Sequence, residues 1–216
     1  MTTENELVVI RGHQELYEKT WHLFEAAKTE IACAANDLNT WVSTRDDSPP
    51  APDRSLAGFT VRKLYRPGIL LDPRGTRHVR DMARAGARIR ITPDELNEVI
   101  IIDRRVAILA GDTAHGPRGF SVVWTAEVVQ AVSSLFDAAW RAATELDVYD
   151  RELMELRQLA PRILDLLSSG CKDETAARTL SLSVRTYRRR VAELMSALGA
   201  TSRFQAGVRA RELGLV

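Results

Sequence analysis

The apolar positions of this chain change their spacing near residue 146. Before that point, short runs alternating every second residue are separated by segments with apolar residues three or four apart. These are the signatures of strands and helices. Glu6–Ile10 (ELVVI), closed by Gly12, predicts a strand, and Gln14–Lys28, with Leu16, Trp21, Leu23, Phe24 and Ala27, a helix. Glu30–Ala35 predicts a buried strand and Phe59–Tyr65 (FTVRKLY) an alternating one. Between them, Thr44–Ser55 holds Pro49, Pro50 and Pro52 and predicts a loop. Gly75–Ala85 predicts a helix stopped by Gly86, and Ala87–Ile91 a strand. Val99–Ile102 and Arg105–Ala110 predict two strands around Asp103, Gly111–Gly119 a loop, and Phe120–Trp124 a further strand. Ala126–Leu146 predicts a long amphipathic helix. Strands alternating with helices define an α/β layer domain, residues 1–148.

Residues 149–216 carry only helical patterns and predict an all-α, four-helix domain. Its helices are Arg151–Ser168, stepped at Pro161, then Asp173–Leu180, Ser183–Leu198 and Ser202–Leu213, the last ended by Gly214. In the third, Ser183 is a good N-cap and Gly199 a good C-terminal stop. At 100° per residue, Tyr187, Val191, Leu194 and Leu198 share one stripe, widened by Val184 and Met195. Arg185, Arg189, Ala192 and Ser196 lie opposite, and Arg188 and Arg190 flank the stripe. Two short helices joined by a tight turn fit a helix-turn-helix, whose second helix lies in the DNA major groove. Arg185, Arg188 and Arg189 then occupy the end that meets base edges. A guanidinium fork matches guanine O6 and N7 and also neutralises phosphate. A solvated surface helix is the alternative reading of the same cations.

Charge separates the two halves. Residues 1–150 hold 18 Lys and Arg against 22 Asp and Glu, and residues 151–216 hold 12 against 7, although the whole chain is close to neutral at +1. A basic module joined to a mildly acidic one raises the case for nucleic acid. Arginine outnumbers lysine 26 to 4 and alanine is abundant, which points to a GC-rich, actinobacterial genome. Cys33 and Cys171 are too few for a disulfide framework or a thiolate metal site. His13, His22, His78 and His115 are scattered, Trp21, Trp41, Trp124 and Trp140 read as core residues, and no phosphate-binding glycine loop or nucleophile elbow is present. No cofactor or metal is expected. No run of 18 apolar residues and no signal peptide is visible, so a cytoplasmic protein without a membrane span is expected.

The stretch GCKDETAARTLSLSVRTYRRRVAELMSALGATSRFQAGVRARELGLV, Gly170–Val216, resembles the C-terminal DNA-binding domain of LuxR/NarL-type transcriptional regulators. Gly170, Ala177, Leu180, Ser183, Thr186, Leu198, Ser202, Arg203 and Ala206 fall at the family's motif positions. Thr175 replaces its glutamate, Ser181 its turn glycine and Arg190 its recognition-helix histidine, and the usual opening is degenerate around Leu156–Arg162. The resemblance implies a divergent branch with Arg188 and Arg189 reading bases, Ala192 in a third slot of little reach, and Thr186, Arg190, Ser202 and Arg203 near phosphates. Ser183 and Arg185 complete the expected DNA-contacting set. The last helix is implied to supply the face through which such domains pair on DNA.

The front half lacks the carboxylate pair of a phosphoacceptor domain, since its first strand ends Val9-Ile10-Arg11-Gly12, and it lacks an aromatic-rich autoinducer pocket. LNEVIIIDRRVAILAGD, residues 96–112, resembles instead the second half of a phospholipase D-like repeat, H-x-K-x4-D followed by a strand and glycine. Asp103 and Gly111 match, whereas Leu96 stands at the histidine and Glu98 at the lysine. Leucine cannot attack phosphorus and glutamate repels phosphate, so the resemblance implies a degenerate phospholipase D-like (TrmB-like) domain that keeps the fold without the activity.

The resulting expectation is a sequence-specific transcriptional regulator that is not an enzyme. It binds double-stranded operator DNA as a homodimer, with a front domain that dimerises or takes an unknown small-molecule or protein signal. The alternatives are a phosphodiesterase or nuclease of the phospholipase D superfamily with a nucleic-acid-targeting tail, and a front domain that acts only as a protein adapter.

Overall fold

The computed structural model describes residues 7–36, 41, 59–95, 97–111 and 118–216. Its strands are β1 (Leu7–Arg11), β2 (Glu30–Ala35), β3 (Thr60–Tyr65), β4 (Arg88–Ile91), β5 (Val99–Ile102), β6 (Val106–Ala110), β7 (Gly119–Val123) and β8 (Thr144–Glu145). They form one mixed eight-stranded sheet in the order β1-β7-β6-β5-β2-β3-β4-β8. The β2–β3 and β3–β4 pairs are parallel and all others antiparallel. The predicted loop 44–55 lies outside the described residues, as do Leu96, His115 and the rest of 112–117.

Three helices cover the sheet: α1 (His13–Ala26), α2 (Pro73–Arg84) and α3 (Ala126–Ala142). On one face Phe136 and Ala143 meet Ala32, Ala34, Leu64, Val99 and Ile101. The opposite face is lined by Ile10, Cys33, Tyr65, Ile89, Ile91, Ile100, Ile102, Ile108 and Phe120, under Leu16 of α1 and Val79 of α2. The two faces follow from strand alternation, and β2, β3 and β5 contribute to both layers.

Four helices follow: α4 (Leu146–Ser168), α5 (Asp173–Thr179), α6 (Val184–Leu198) and α7 (Arg203–Glu212). Their buried residues, among them Leu153, Leu156, Ile163, Tyr187, Val191, Leu194, Ala206 and Ala210, belong to the same cluster as the α1/α2 face of the sheet. The helices meet the sheet at β4 and β8, through α4, and at a 3-10 turn between β3 and α2, Pro67–Leu70. Position 148/149 lies in the first turn of α4.

Several boundaries differ from the sequence expectation. Helix α2 starts at Pro73 rather than Gly75, because the Asp72 carboxylate accepts the Arg74 and Gly75 amides, 3.1 Å each, and Pro73 needs no amide partner there. Helix α3 ends at Ala142 rather than Leu146, because Thr144–Glu145 pairs with Arg90–Ile91 as β8. Helix α4 then begins at Leu146, not Arg151, and continues through Pro161 without a step. Of the tryptophans, Trp41 and Trp140 pack half-buried against the core, whereas Trp21 is half-buried outside it and Trp124 is exposed. Cys33 and Cys171 are free thiols.

The β5–β6 turn explains the aspartate of the sequence motif. Asp103 and Arg104 have φ of 50° and 55°, and the Arg105 amide donates to the Ile102 carbonyl at 2.9 Å. This matches a turn with both central residues left-handed, whose twist suits a hairpin. The turn places the Asp103 carboxylate over the α1–β2 junction. There it accepts the amides of Lys28 (2.8 Å), Thr29 (2.8 Å) and Glu30 (2.9 Å) and the Thr29 hydroxyl (2.9 Å). Against the partial burial that opposes ionisation, the Glu30, Thr29 and Lys28 amides hold its pKa down to about 2. A depressed carboxylate stabilises the fold at neutral pH, and that contribution is lost as pH falls from about 4 towards 2. Asp103→Asn should cost about 1 kcal/mol at pH 7, after allowance for solvent screening. Denaturant unfolding at pH 7 and pH 2 checks this; a difference that does not shrink at pH 2 contradicts the role.

Candidate nucleic-acid interface

Helix α6 forms because both ends are capped and one face is apolar. The Ser183 hydroxyl accepts the Thr186 amide at 3.1 Å and lies 2.9 Å from the Thr186 hydroxyl. Gly199 closes the helix at φ 66°, ψ 37°. Tyr187, Val191, Leu194, Ala197 and Leu198 are buried, with Val184 and Met195 packed beside them. The core stripe is thus the one read from the sequence.

The arginines of the run have three different environments. Arg185 and Arg189 are exposed and, with Thr186, line an open surface cleft at the start of α6. Arg189 has a loose contact with Glu193 one turn on, at 3.8 Å. Arg188 is exposed but held: its Nε donates to Asp173 Oδ2 at 2.7 Å, and Glu174 lies 3.7 Å from its Nη2. Arg190 is largely buried, its side chain 15% exposed, between Glu193 at 2.8 Å and Glu155 of α4. Ala192 is exposed on the outer face. Ser202 caps α7 by accepting the Gln205 amide at 3.1 Å, and Arg203 donates to Asp173 Oδ1 at 2.8 Å.

The structure therefore brings together Ser183, Arg185, Thr186 and Arg189 on one surface. It joins Arg188 to Arg203 through Asp173 and sets Arg190 apart, against α4. The residues missed in the sequence are the acids Asp173, Glu155 and Glu193. Only Glu193, three and four residues after Arg190 and Arg189, had a local signal. Asp173 and Glu155 precede the run by 15 and 35 residues and meet it only through the packing of α5 and α4. The Arg188 hydrogen bond, assisted by Arg203, holds the Asp173 carboxyl below the usual carboxylate range.

The connector between α5 and α6 carries strain. Ser181 has φ 57°, the left-handed region that favours glycine. The Leu182 amide nonetheless reaches back to the Ala177 carbonyl at 2.8 Å, so the tight turn is made.

The motif around residue 98 is also ordered by polar contacts. Glu98 is buried, accepts the Asn36 amide at 2.9 Å and forms an ion pair with Arg118. Leu96 lies outside the described residues. Among the described residues no group of three or more His, Cys, Asp or Glu is placed to hold a metal ion, and no helix is long and apolar enough to cross a membrane.

Two stability predictions follow from the α5–α6 geometry. Asp173→Asn should destabilise the chain by about 1 kcal/mol at pH 7. Because the carboxylate pKa is depressed, the deficit should vanish as pH falls through it; an equal deficit at pH 7 and pH 3 in urea titrations would sink this role. Ser181→Gly should stabilise by about 1 kcal/mol, because glycine removes the left-handed penalty. An unchanged or lower urea midpoint would contradict it.

No family model matches the chain. Over 170 residues it is 33% identical to the bialaphos biosynthetic pathway regulatory protein of Streptomyces hygroscopicus, covering 74% of this chain and 63% of that protein. The chain thus spans less than two thirds of that relative's length. Among solved structures it is similar to TrmBL2, an archaeal chromatin protein, with a TM-score of 0.51 and 19% identity over 68% of this chain and 56% of that one. It also matches Nuc, a phospholipase D family member from Salmonella typhimurium, with a TM-score of 0.49 and 15% identity over 65% of this chain and 98% of that one. The TrmBL2 likeness concerns the fold.

Proposed function

We propose that this chain is a sequence-specific DNA-binding transcriptional regulator of the LuxR type, cytoplasmic and acting as a homodimer. Helix α6 enters the major groove as the second helix of a helix-turn-helix, and α5 crosses the backbone behind it. The observation that carries the reading is the exposed surface of Arg185, Thr186 and Arg189 on the first two turns of a capped helix. Arg185 and Arg189, the latter held only loosely by Glu193, can take guanine or phosphate acceptors at the end of the helix that recognition uses. The bialaphos relative supports a role in regulation, since its name describes a regulatory protein.

Arg188 and Arg203, bridged by Asp173, are read as a phosphate-facing pair beside the groove. Ser183 and Ser202 sit at helix N-termini, where backbone amides favour a phosphate oxygen. Ala192 keeps the outer face slim enough to approach the base edges. Arg190 holds α6 against α4 and reaches DNA only if Glu155 and Glu193 release it. The sheet is read as a phospholipase D-like sensor or dimerisation domain without hydrolase activity. A buried Glu98 paired with Arg118 offers a carboxylate where phosphodiester chemistry needs a cation.

The test begins by selecting bound sequences from genomic DNA fragments with the full chain. Fluorescence anisotropy then follows variants on the selected site. Arg185→Ala with Arg189→Ala should weaken specific binding by roughly 100-fold or more, from two lost base or phosphate contacts. It should also flatten the dependence on salt. Arg188→Ala alone should cost less, because its guanidinium must first leave Asp173. Unchanged affinity of the double variant, with its helical circular dichroism intact, overturns the reading.

A further inference from the structure

On β3, Val61, Lys63 and Tyr65 point to the face covered by α1 and α2, because strand residues alternate and Arg62 and Leu64 face α3. The cross-strand neighbours of Lys63 are Cys33 on β2 and Ile89 on β4, and Cys33 in turn faces Ile100 on β5. Cys33, Ile89 and Ile100 belong to the apolar core of that face. A lysine therefore interrupts a row of apolar side chains across four strands, on an inner strand of the sheet.

The surroundings supply this ammonium with little. Among the described residues its polar partner is the Tyr65 hydroxyl at 3.4 Å, and that oxygen lies 3.4 Å from His78 Nε2 of α2. Among the described residues no carboxylate lies within ion-pair distance of Lys63, whereas Arg62 on the same strand pairs with Glu30 and Asp137. Cys33 and Tyr65 do not take that place at neutral pH. Burial pushes the Cys33 thiol up to about 11 and raises the Tyr65 phenol. The Lys63 pKa is nonetheless raised: burial opposes the ammonium, and its pairing with Tyr65 and Cys33 as these ionise more than offsets that. His78 is lowered by burial and by Lys63, against the pull of Asp81, and stays neutral. The cluster thus carries a single positive charge with unfilled donors. Lys63, Val61 and His78 all retain partial solvent exposure.

We infer that Lys63, Tyr65 and His78 form a binding site for a small organic monoanion, a carboxylate with an apolar body. A carboxylate accepts from Lys63 Nζ and the Tyr65 hydroxyl and completes the charge, while its body lies against Val61 and Ile89. An unpaired charge at a poorly hydrated site is costly, and pairing it with a hydrogen-bonded counter-ion removes that cost. The charge count selects the class. A phosphate dianion against one cation leaves a negative charge uncompensated in the same apolar row, so a monocarboxylate fits better. The site shares no residue with α6, and its occupancy is read without DNA, so its failure leaves the DNA-binding reading standing.

Benzoate, acetate and inorganic phosphate titrated into the full chain at pH 7 by calorimetry test the site. Benzoate should bind saturably at one site per chain, more tightly than acetate, with phosphate at least tenfold weaker than benzoate. Lys63→Met keeps the length of the side chain without its charge and should weaken benzoate at least tenfold; Tyr65→Phe should weaken it several-fold and serves if Lys63→Met fails to fold. Absence of saturable benzoate binding overturns the site. Equal affinity in the folded variants overturns it too, and phosphate binding more tightly than benzoate overturns the ligand class.

Discussion

Four residues of 3-10 turn between β3 and α2, Pro67–Leu70, join the sheet to the helices that follow it. Ile69 and Leu70 are fully buried, and Gly68 packs under α6 and α7 so closely that a Cβ there would stand 3.1 Å from Leu213 Cδ1 and 3.3 Å from the Ala197 carbonyl. The Leu70 carbonyl accepts both the Thr76 hydroxyl at 3.0 Å and Arg157 Nε of α4 at 2.6 Å. Each buried aliphatic side chain contributes about 1.5–3 kcal/mol. The helices from α4 onward thus take part of their core from the sheet, and α6 is oriented by it. The carbonyl shared by Thr76 and Arg157 fixes the turn from both sides.

That orientation sets how the arginine run divides. Arg190 faces α4 and is caught between two acids with little access to water, where losing one partner strands a charge. Arg188 faces α5 and is 59% exposed, so its pair with Asp173 is the weak, exchangeable kind. Arg203 shares the same carboxylate. Arg185 and Arg189 face neither helix. One helical stretch therefore holds a structural tie, an exchangeable contact and two outward cations, Arg189 loosely tied to Glu193, separated by nothing more than 100° steps around the axis.

The sequence made the sheet legible because alternation is local: all but one of the strands coincide with a predicted run to within a residue or two. It failed where a tertiary contact decides. Thr144 and Glu145 look like the tail of α3 and become β8 only because Arg90 and Ile91 lie beside them. The 3-10 turn at Pro67 has no periodicity to read. Pro161 suggested a step, but a helix held by Leu156, Ala160, Ile163 and Leu164 against one core absorbs the missing amide. The core stripe and caps of α6 were visible, as were its outward cations, whereas the acids that restrain Arg188 and Arg190 arrive from other helices. One local signal was passed over. In FTVRKLY the inward positions are Phe59, Val61, Lys63 and Tyr65, and a lysine in that register already conflicts with an apolar layer.

Arg66, the residue that follows Tyr65, shows how far the two parts of the chain depend on each other. Its guanidinium lies against Gly199, the C-cap of α6, and donates to the Pro93 carbonyl at 3.1 Å, while its buried Nε has no hydrogen-bond partner. Burial, with Arg209 nearby, lowers its pKa, and Glu95 only partly offsets this. Any Cβ at position 199 would overlap that guanidinium, and φ 66° already favours glycine there. Glycine is favoured there by its backbone angle, and the guanidinium fills the space that a side chain would take. The end of α6 therefore packs on a residue just beyond β3, at the cost of an imperfectly satisfied arginine. A fold that only needed to cap a helix would not bury a cation to do so, and holding α6 at a fixed angle to β3 is what the burial achieves.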